Sequence, residues 1–124
     1  MARWTYYKSN GGFNDFHRQW EGLAGIDVDF CEVCPDCYEP LCVIETAYDK
    51  GQTFKTTTFV EILSKRLQIP SFLVFYKEDD TGVMWIRYKR LCGSDELKRV
   101  RGDEFIKELY LLQKDHNRCC KYAT

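Results

Sequence analysis

The segment SFLVFY, residues 71–76, limits the possible folds more than any other part of this sequence. It is short and almost wholly apolar, which is typical of a β-strand that is covered on both faces. Such a strand lies inside a sheet and needs packing layers above and below it. The sequence therefore predicts a sheet with this strand near its centre and helices packed against it.

Hydrophobic spacing predicts the other elements. Apolar residues recur at helical spacing in residues 13–23 (Phe13, Phe16, Trp20, Leu23), 53–68 (Phe59, Ile62, Leu63, Leu67) and 103–116 (Phe105, Ile106, Leu109, Leu112). Strand-like runs occupy residues 26–33, 41–48 and 83–91, the first two forming a hairpin around PDCYEP. Ser94 can cap the last helical region. The order predicts one domain over residues 1–124, an α/β (α+β) fold with a small mixed β-sheet flanked by helices.

Composition narrows the class of protein. Hydrophobic residues make up 44% of the 124 residues and charged residues 30%, as in ordinary globular domains. No apolar run approaches the roughly 20 residues of a membrane span, and the first residues lack the apolar core of a secretory signal. We therefore expect a cytoplasmic protein that does not engage a membrane.

Charge is unevenly distributed along the chain. Residues 1–50 contain four Lys and Arg against nine Asp and Glu, whereas residues 51–124 contain fourteen against ten. An acidic centre that holds cations beside a basic flank that holds phosphates is what a phosphodiester-cutting site needs. The alternative is a pair of solvated faces that happen to differ in charge.

Three carboxylates on the predicted hairpin are candidate metal ligands. Side chains alternate along a strand, and a turn centred near Cys37 pairs Asp29 with Glu45 and Asp27 with Ala47. Asp29 and Glu45 would be cross-strand neighbours, an arrangement of like charges that calls for a compensating cation. Mg²⁺ or Mn²⁺, bound by carboxylates and by phosphate oxygens of a substrate, meets that need. The alternative is a solvated hairpin face.

The same segment resembles the PD-(D/E)XK nuclease superfamily. The resemblance rests on Asp27-Val28-Asp29, Val43-Ile44-Glu45-Thr46-Ala47 and Ile69-Pro70, and it spans residues 13 to about 77. It implies a restriction-endonuclease-like fold and Mg²⁺- or Mn²⁺-dependent hydrolysis of DNA, with Asp29 and Glu45, and Asp27 as a third candidate, holding the metal. It also implies that a homodimer would serve to cut both strands.

The motif's lysine position is occupied by Ala47. Within the superfamily this lysine can come from elsewhere, and the resemblance offers Lys50, Lys55 and Lys65, the first two being favoured as catalytic residues. The alternative is a catalytically inactive descendant: a binding or inhibitory protein, for example one encoded by a bacteriophage, that engages a host protein or nucleic acid.

Seven cysteines favour thiols or a metal site over a disulfide framework, because a chain of this length can bury a core without staples. Cys34 and Cys37 form a CPxC pair that is typical of zinc knuckles. Two of Cys42, His116, Cys119 and Cys120 would complete the site, and the terminal HNRCC favours Cys119 and Cys120. A third interpretation of the chain follows, in which it is a small interaction module with structural zinc and no relation to nucleases.

Basic residues are concentrated near the predicted fourth strand. Phosphate contacts need cations on one surface, and interleaved aromatics, here Trp85 and Tyr88, can stack on bases. The candidate DNA-binding residues are Arg87, Lys89, Arg90, Lys98, Arg99 and Arg101. A solvated edge strand that its charges protect from aggregation is the alternative.

Overall fold

The computed structural model describes residues 16–17, 19–24, 26, 28–93 and 95–120. Within them lie five strands, β1 (Phe30–Val33), β2 (Pro40–Tyr48), β3 (Ser71–Glu78), β4 (Met84–Arg90) and β5 (Lys98–Arg101). Two helices are also described, α1 (Thr58–Leu67) and α2 (Gly102–Asn117).

The strands form one mixed sheet in the order β1-β2-β3-β4-β5. β2 and β3 run parallel, whereas the other three neighbouring pairs are antiparallel. The parallel pair is joined through α1, as a crossover connection requires. The predicted α+β class and the central position of SFLVFY are confirmed.

Strand β3 has apolar side chains on both faces, and a helix covers each face. Leu73 and Phe75 face α1 and pack with Val43 and Val60. On the opposite face, α2 contributes Phe105 to a cluster with Cys42, Ile44, Phe72, Val74, Ile86 and Tyr88. The rings of Tyr88 and Phe105 meet edge to face with centroids 4.9 Å apart. This double covering explains why the β3 sequence is a continuous apolar run.

Both predicted helices are present, but α1 begins at Thr58 and not at the predicted Thr53, and its buried side differs in detail. Val60 and Ser64 are the buried residues of α1, whereas Ile62 and Leu67 are 48% and 43% exposed. The apolar residues of α1 occupy a broader part of the helix surface than the part that contacts the sheet. Their spacing alone therefore did not predict which of them face the sheet. Gln68 ends the helix in a left-handed conformation (φ 58°), and Pro70 follows.

Strand β5 was not predicted. Its sequence KRVR carries three cations and a single apolar residue, Val100, that packs against the core. A four-residue edge strand of this composition has too little alternation to be recognised, and charge is typical of edges. The proposed cap Ser94 lies outside the described residues.

Most of the first predicted helix, residues 13–23, also falls outside the described residues. Of its described part, the Gln19 amide donates to the Phe16 carbonyl oxygen and the Trp20 amide to that of His17, both at 3.2 Å. Asp27 is likewise outside the described residues.

Candidate metal centre and carboxylate site

The hairpin of β1 and β2 has the predicted register. Phe30 pairs with Ile44 and Cys31 with Val43, which is the same offset as the predicted pair of Asp29 and Glu45. Asp29 therefore precedes β1 at the open end of the hairpin. Its Oδ2 accepts a hydrogen bond from the Thr46 amide at 3.0 Å.

Three oxygen atoms at this end of the hairpin surround the ammonium of Lys55. The Nζ atom lies 2.5 Å from the Thr46 carbonyl oxygen, 2.7 Å from Glu45 Oε1 and 3.2 Å from Asp29 Oδ2. We call these three oxygens the oxygen cage. The Glu45 side chain is 14% exposed, whereas those of Asp29 and Lys55 are about one-third exposed.

The contacts at the oxygen cage favour the charged forms of Asp29 and Lys55. Burial works to raise the pKa of Asp29, but the Thr46 amide and the Lys55 ammonium outweigh it and lower that pKa below its usual value. Burial likewise works to lower the pKa of Lys55, but its bonds to Glu45 and Asp29 raise it. The compensating cation that two neighbouring carboxylates require is thus supplied by a lysine of the chain itself.

The cage has the donor chemistry of a divalent-cation site. Two carboxylate oxygens and a main-chain carbonyl oxygen are hard ligands that suit Mg²⁺ or Mn²⁺, and a cation already occupies the point on which they converge. A divalent ion at this point would have to displace the ammonium.

Of the three lysines considered for the missing motif position, Lys55 alone contacts the oxygen cage. Lys50 lines a cleft with Lys77, and Lys65 lines a different cleft with Arg90. Ala47 packs against the core cluster beneath α1. Because Lys55 lies in the segment between β2 and α1, ten residues after Glu45, no strand periodicity could have selected it.

A second group of side chains lies at the tip of the hairpin. One ligand atom from each of Cys34, Cys37, His116 and Cys120 lies within 4.8 Å of the others, an arrangement that can hold a metal ion. The Sγ atoms of Cys34 and Cys120 are 3.8 Å apart, and Cys37 Sγ is 3.2 Å from His116 Nε2. We call these four residues the thiol cluster.

Local structure positions both halves of the thiol cluster. At the hairpin tip, the Tyr38 amide bonds to the Cys34 carbonyl oxygen at 2.8 Å, and Tyr38 takes a positive φ of 62°. At the end of α2, the Cys120 amide bonds to the His116 carbonyl oxygen at 2.9 Å, so the helical spacing places both side chains on one side. Three sulfurs and one imidazole nitrogen are a common tetrahedral ligand set.

Burial and mutual contacts shift the pKa values of the clustered thiols. Cys34 and Cys120 are buried and pack with Leu41 and Leu112. The backbone amide of Glu39 works to lower the pKa of Cys37, but burial and the neighbouring thiols raise it to about 11. A metal ion would reverse this effect, because it binds the thiolate form.

The other cysteines lie outside the thiol cluster. Cys119, which the sequence favoured as a ligand, is exposed and directs its thiol to the His116 carbonyl oxygen at 3.3 Å. His116 takes its place, since position 116 precedes Cys120 by four residues and shares its helical side. Burial raises the pKa of the core residue Cys42 to about 12. The spacing H-x₃-C was the available signal for the observed pair.

The sheet divides the predicted basic residues between its two faces. Residues directly opposite in a ladder share a face. Arg87 pairs with Arg99, Trp85 with Arg101, and Lys89 with Leu73, which places these cations on the face of α1 and Glu45. Arg90 and Lys98 are opposite Phe72 and Tyr88, on the face of α2.

Arg87 is engaged within the protein. Its Nε and one terminal nitrogen donate to the two Asp49 oxygens at 2.9 and 2.8 Å, and the terminal nitrogen also reaches the Gln52 carbonyl oxygen at 2.6 Å. The bidentate pair anchors the segment after β2 to β4. Arg87 therefore has a structural role, whereas Arg99 and Arg101 remain exposed.

Comparisons with protein-family models, curated proteins and solved structures found no match to this chain. Among the described residues, no helix has the length and apolar character needed to cross a membrane. The function is therefore inferred from the geometry of the two sites.

Proposed function

We propose that this protein is a metal-dependent nuclease that hydrolyses DNA phosphodiester bonds at the oxygen cage. The observation that carries the proposal is the convergence of Asp29, Glu45 and the Thr46 carbonyl oxygen on a lysine ammonium. The element order adds support: the hairpin, the helix α1 and the parallel strand β3 follow the order that the PD-(D/E)XK resemblance implies.

In this proposal the three cage oxygens would hold Mg²⁺ or Mn²⁺. A bound divalent ion would supply charge stabilisation at a phosphoryl oxygen and a bound water of lowered pKa. Lys55 leaves the cage and keeps its proton on Nζ beside the reacting phosphate, where its charge opposes the negative charge that develops. The Thr46 amide continues to hold Asp29 in position.

Cleavage of single-stranded, duplex and branched DNA in Mg²⁺ or Mn²⁺ tests the proposal. We expect activity in the wild type and none in Glu45→Ala or Asp29→Ala. Asp80→Ala is the matched control, because Asp80 is an exposed carboxylate in the turn after β3 and should leave activity unchanged. Equal activity in all four proteins would place the chemistry elsewhere.

Lys55→Ala separates a metal cage from a simple ion pair. Removing the competing ammonium should tighten Mn²⁺ binding in calorimetry and still abolish cleavage. If Lys55→Ala does not bind Mn²⁺, the cage is only a salt-bridge network and the proposed metal role is refuted.

We further propose that zinc is the metal of the thiol cluster, with a structural role. Three thiolates and a histidine saturate a tetrahedral zinc ion, which leaves no open position for a substrate. The ion would fasten the end of α2 to the hairpin whose other end carries Asp29. Unpaired cysteines fit the reducing cytoplasm.

A second candidate function is a non-catalytic binding or inhibitory protein of the same fold. Two observations favour it: Ala47 occupies the motif position, and Lys55 already neutralises the carboxylates. Absence of cleavage in a folded, zinc-loaded sample, together with failure of Mn²⁺ to enter the wild-type cage, would support this candidate over the nuclease.

A further inference from the structure

A cleft of about 440 Å³ lies beyond the C-terminal end of β2. Its wall contains three cations, one aromatic ring and two carboxylates, which are Lys50, Lys77, Arg99, Trp85, Asp49 and Asp79. We call it the basic cleft. Lys50 and Lys77 were not among the nucleic-acid-binding residues that the sequence suggested.

The two carboxylates of the basic cleft are already engaged. Arg87 neutralises Asp49 through two hydrogen bonds and lowers its pKa to about 2. Asp79 accepts from the Thr81 amide and hydroxyl at 2.8 and 2.6 Å and from the Trp85 indole at 2.9 Å. Asp79 is therefore the one carboxylate of the cleft that forms no salt bridge with a cation. Its oxygens accept hydrogen bonds from Thr81 and Trp85, and the three cations of the cleft lie around it.

The cations form no close ion pair among the described residues, although the charge of Lys77 contributes to the lowered pKa of Asp49. None of Lys50, Lys77 and Arg99 forms an ion pair within 4.0 Å in that part of the chain. The Arg99 guanidinium carbon instead lies 3.9 Å from the Trp85 ring centroid. The ring holds the planar guanidinium against the cleft wall without using its hydrogen-bond donors.

The basic cleft lies on the sheet face that carries Glu45. Ala47, two residues beyond Glu45, pairs with Phe75, which pairs with Arg87, which in turn pairs with Arg99. The four residue steps from Glu45 in β2 to Asp49 just after it span roughly 13 Å at the usual strand rise. That distance corresponds to about four nucleotide steps of a B-form strand.

We propose that the basic cleft binds the phosphodiester backbone of a DNA strand. This proposal rests on the proposed nuclease function for its choice of partner, and it assigns to the cleft the strand that leads into the oxygen cage. Lys50 and Lys77 contact phosphates, and Arg99 contributes both its charge and a flat surface on which an unpaired base can stack.

Fluorescence anisotropy with a labelled single-stranded oligonucleotide and with its duplex tests the proposal. The buffer contains neither added divalent metal nor chelator, so that cleavage is prevented and the thiol cluster keeps its ion. The variants are Lys50→Ala, Lys77→Ala and Arg99→Ala. Lys114→Ala is the matched control, because it removes one exposed cation from α2 on the opposite side of the sheet.

Each cleft variant should weaken binding about fivefold at 0.1 M salt and reduce the salt slope by about 0.7 for a single strand or 0.9 for a duplex. Lys114→Ala should change neither quantity. The form of DNA, single-stranded or duplex, whose binding the cleft variants weaken more is the form that occupies the cleft. Equal losses in the control and the cleft variants, or unchanged binding in all of them, would refute the proposal.

Failure of this proposal can be distinguished from failure of the nuclease. If cleavage depends on Glu45 but the cleft variants bind and cut DNA like the wild type, DNA binding by the basic cleft is refuted and the nuclease function is supported. If the cleft variants bind DNA more weakly but no sample cleaves it, DNA binding by the basic cleft is supported and the non-catalytic candidate function is favoured.

Discussion

Removal of the proposed zinc ion from the thiol cluster should destabilise the protein strongly. The cluster joins two pairs of ligands, Cys34 with Cys37 and His116 with Cys120, that are far apart in the sequence: Cys37 and His116 are separated by 79 residues. In the unfolded chain, zinc can bind one pair easily, but binding both requires closure of that loop. In the folded chain the two pairs are already together.

The loop length sets the size of the effect. The chain-entropy expression for a closed loop of 79 residues gives about 4.5 kcal/mol at 25 °C. Zinc should therefore bind the folded chain about 2,000-fold more tightly than the unfolded chain, and by linkage saturating zinc should raise the free energy of unfolding by that amount. For a 124-residue domain this corresponds to about 17 °C in Tm.

Zinc content by elemental analysis and Tm by circular dichroism, with and without a chelator, provide the assay. We expect one zinc per chain, lost in His116→Ala and Cys37→Ser together with most of the chelator-sensitive stability. Cys119→Ser and Cys31→Ser are matched controls, because both thiols are exposed and lie outside the cluster. Zinc retained by His116→Ala and lost from Cys119→Ser would refute the assignment, as would a Tm that the chelator leaves unchanged.

Three further predictions concern the fold around the sites. Asp79→Ala should cost about 1–3 kcal/mol in urea unfolding, because it leaves the partly buried Val83 amide and Trp85 indole without their acceptor, and a loss no larger than that of exposed Asp80→Ala would contradict this reasoning. The lowered pKa of Asp49, about 2, means that its stabilisation is present above pH 3.8 and is lost as the pH falls towards 2; Tm against pH should therefore fall less steeply in Asp49→Asn, and identical slopes would contradict the pairing with Arg87. Leu73→Ala should cost about 2–5 kcal/mol, since its side chain is fully buried, whereas exposed Ile62→Ala should stay within about 0.5 kcal/mol; equal effects would contradict the described packing.

Patterns that repeat within one element were predictable from the sequence. The apolar run of β3 predicted a central, doubly covered strand, and the spacing of Phe105, Leu109 and Leu112 predicted α2 to within a residue at each end. The register of the hairpin also followed from sequence, because the turn around Cys37 fixes which residues of β1 and β2 face each other.

Edge elements and pairings between distant segments were not predictable in the same way. β5 is too short and too charged to show strand periodicity. The sequence favoured Cys119 over His116 because adjacent cysteines resemble a ligand pair, whereas the helical turn at the end of α2 selects residues four apart.

The chain's own sequence determined which chemical groups were available: carboxylates on the two arms of one hairpin, thiols at its tip, and lysines after β2. Only the tertiary structure decided which of them meet. Lys55 reaches Asp29 and Glu45 because the segment after β2 returns over the sheet, and His116 reaches Cys37 because α2 packs across the face beneath the hairpin. The spacing of residues within one helix or strand follows from local backbone geometry and can be recognised in the sequence. Contacts between residues far apart in the sequence depend on how whole elements pack, and a periodic pattern in the sequence does not predict them.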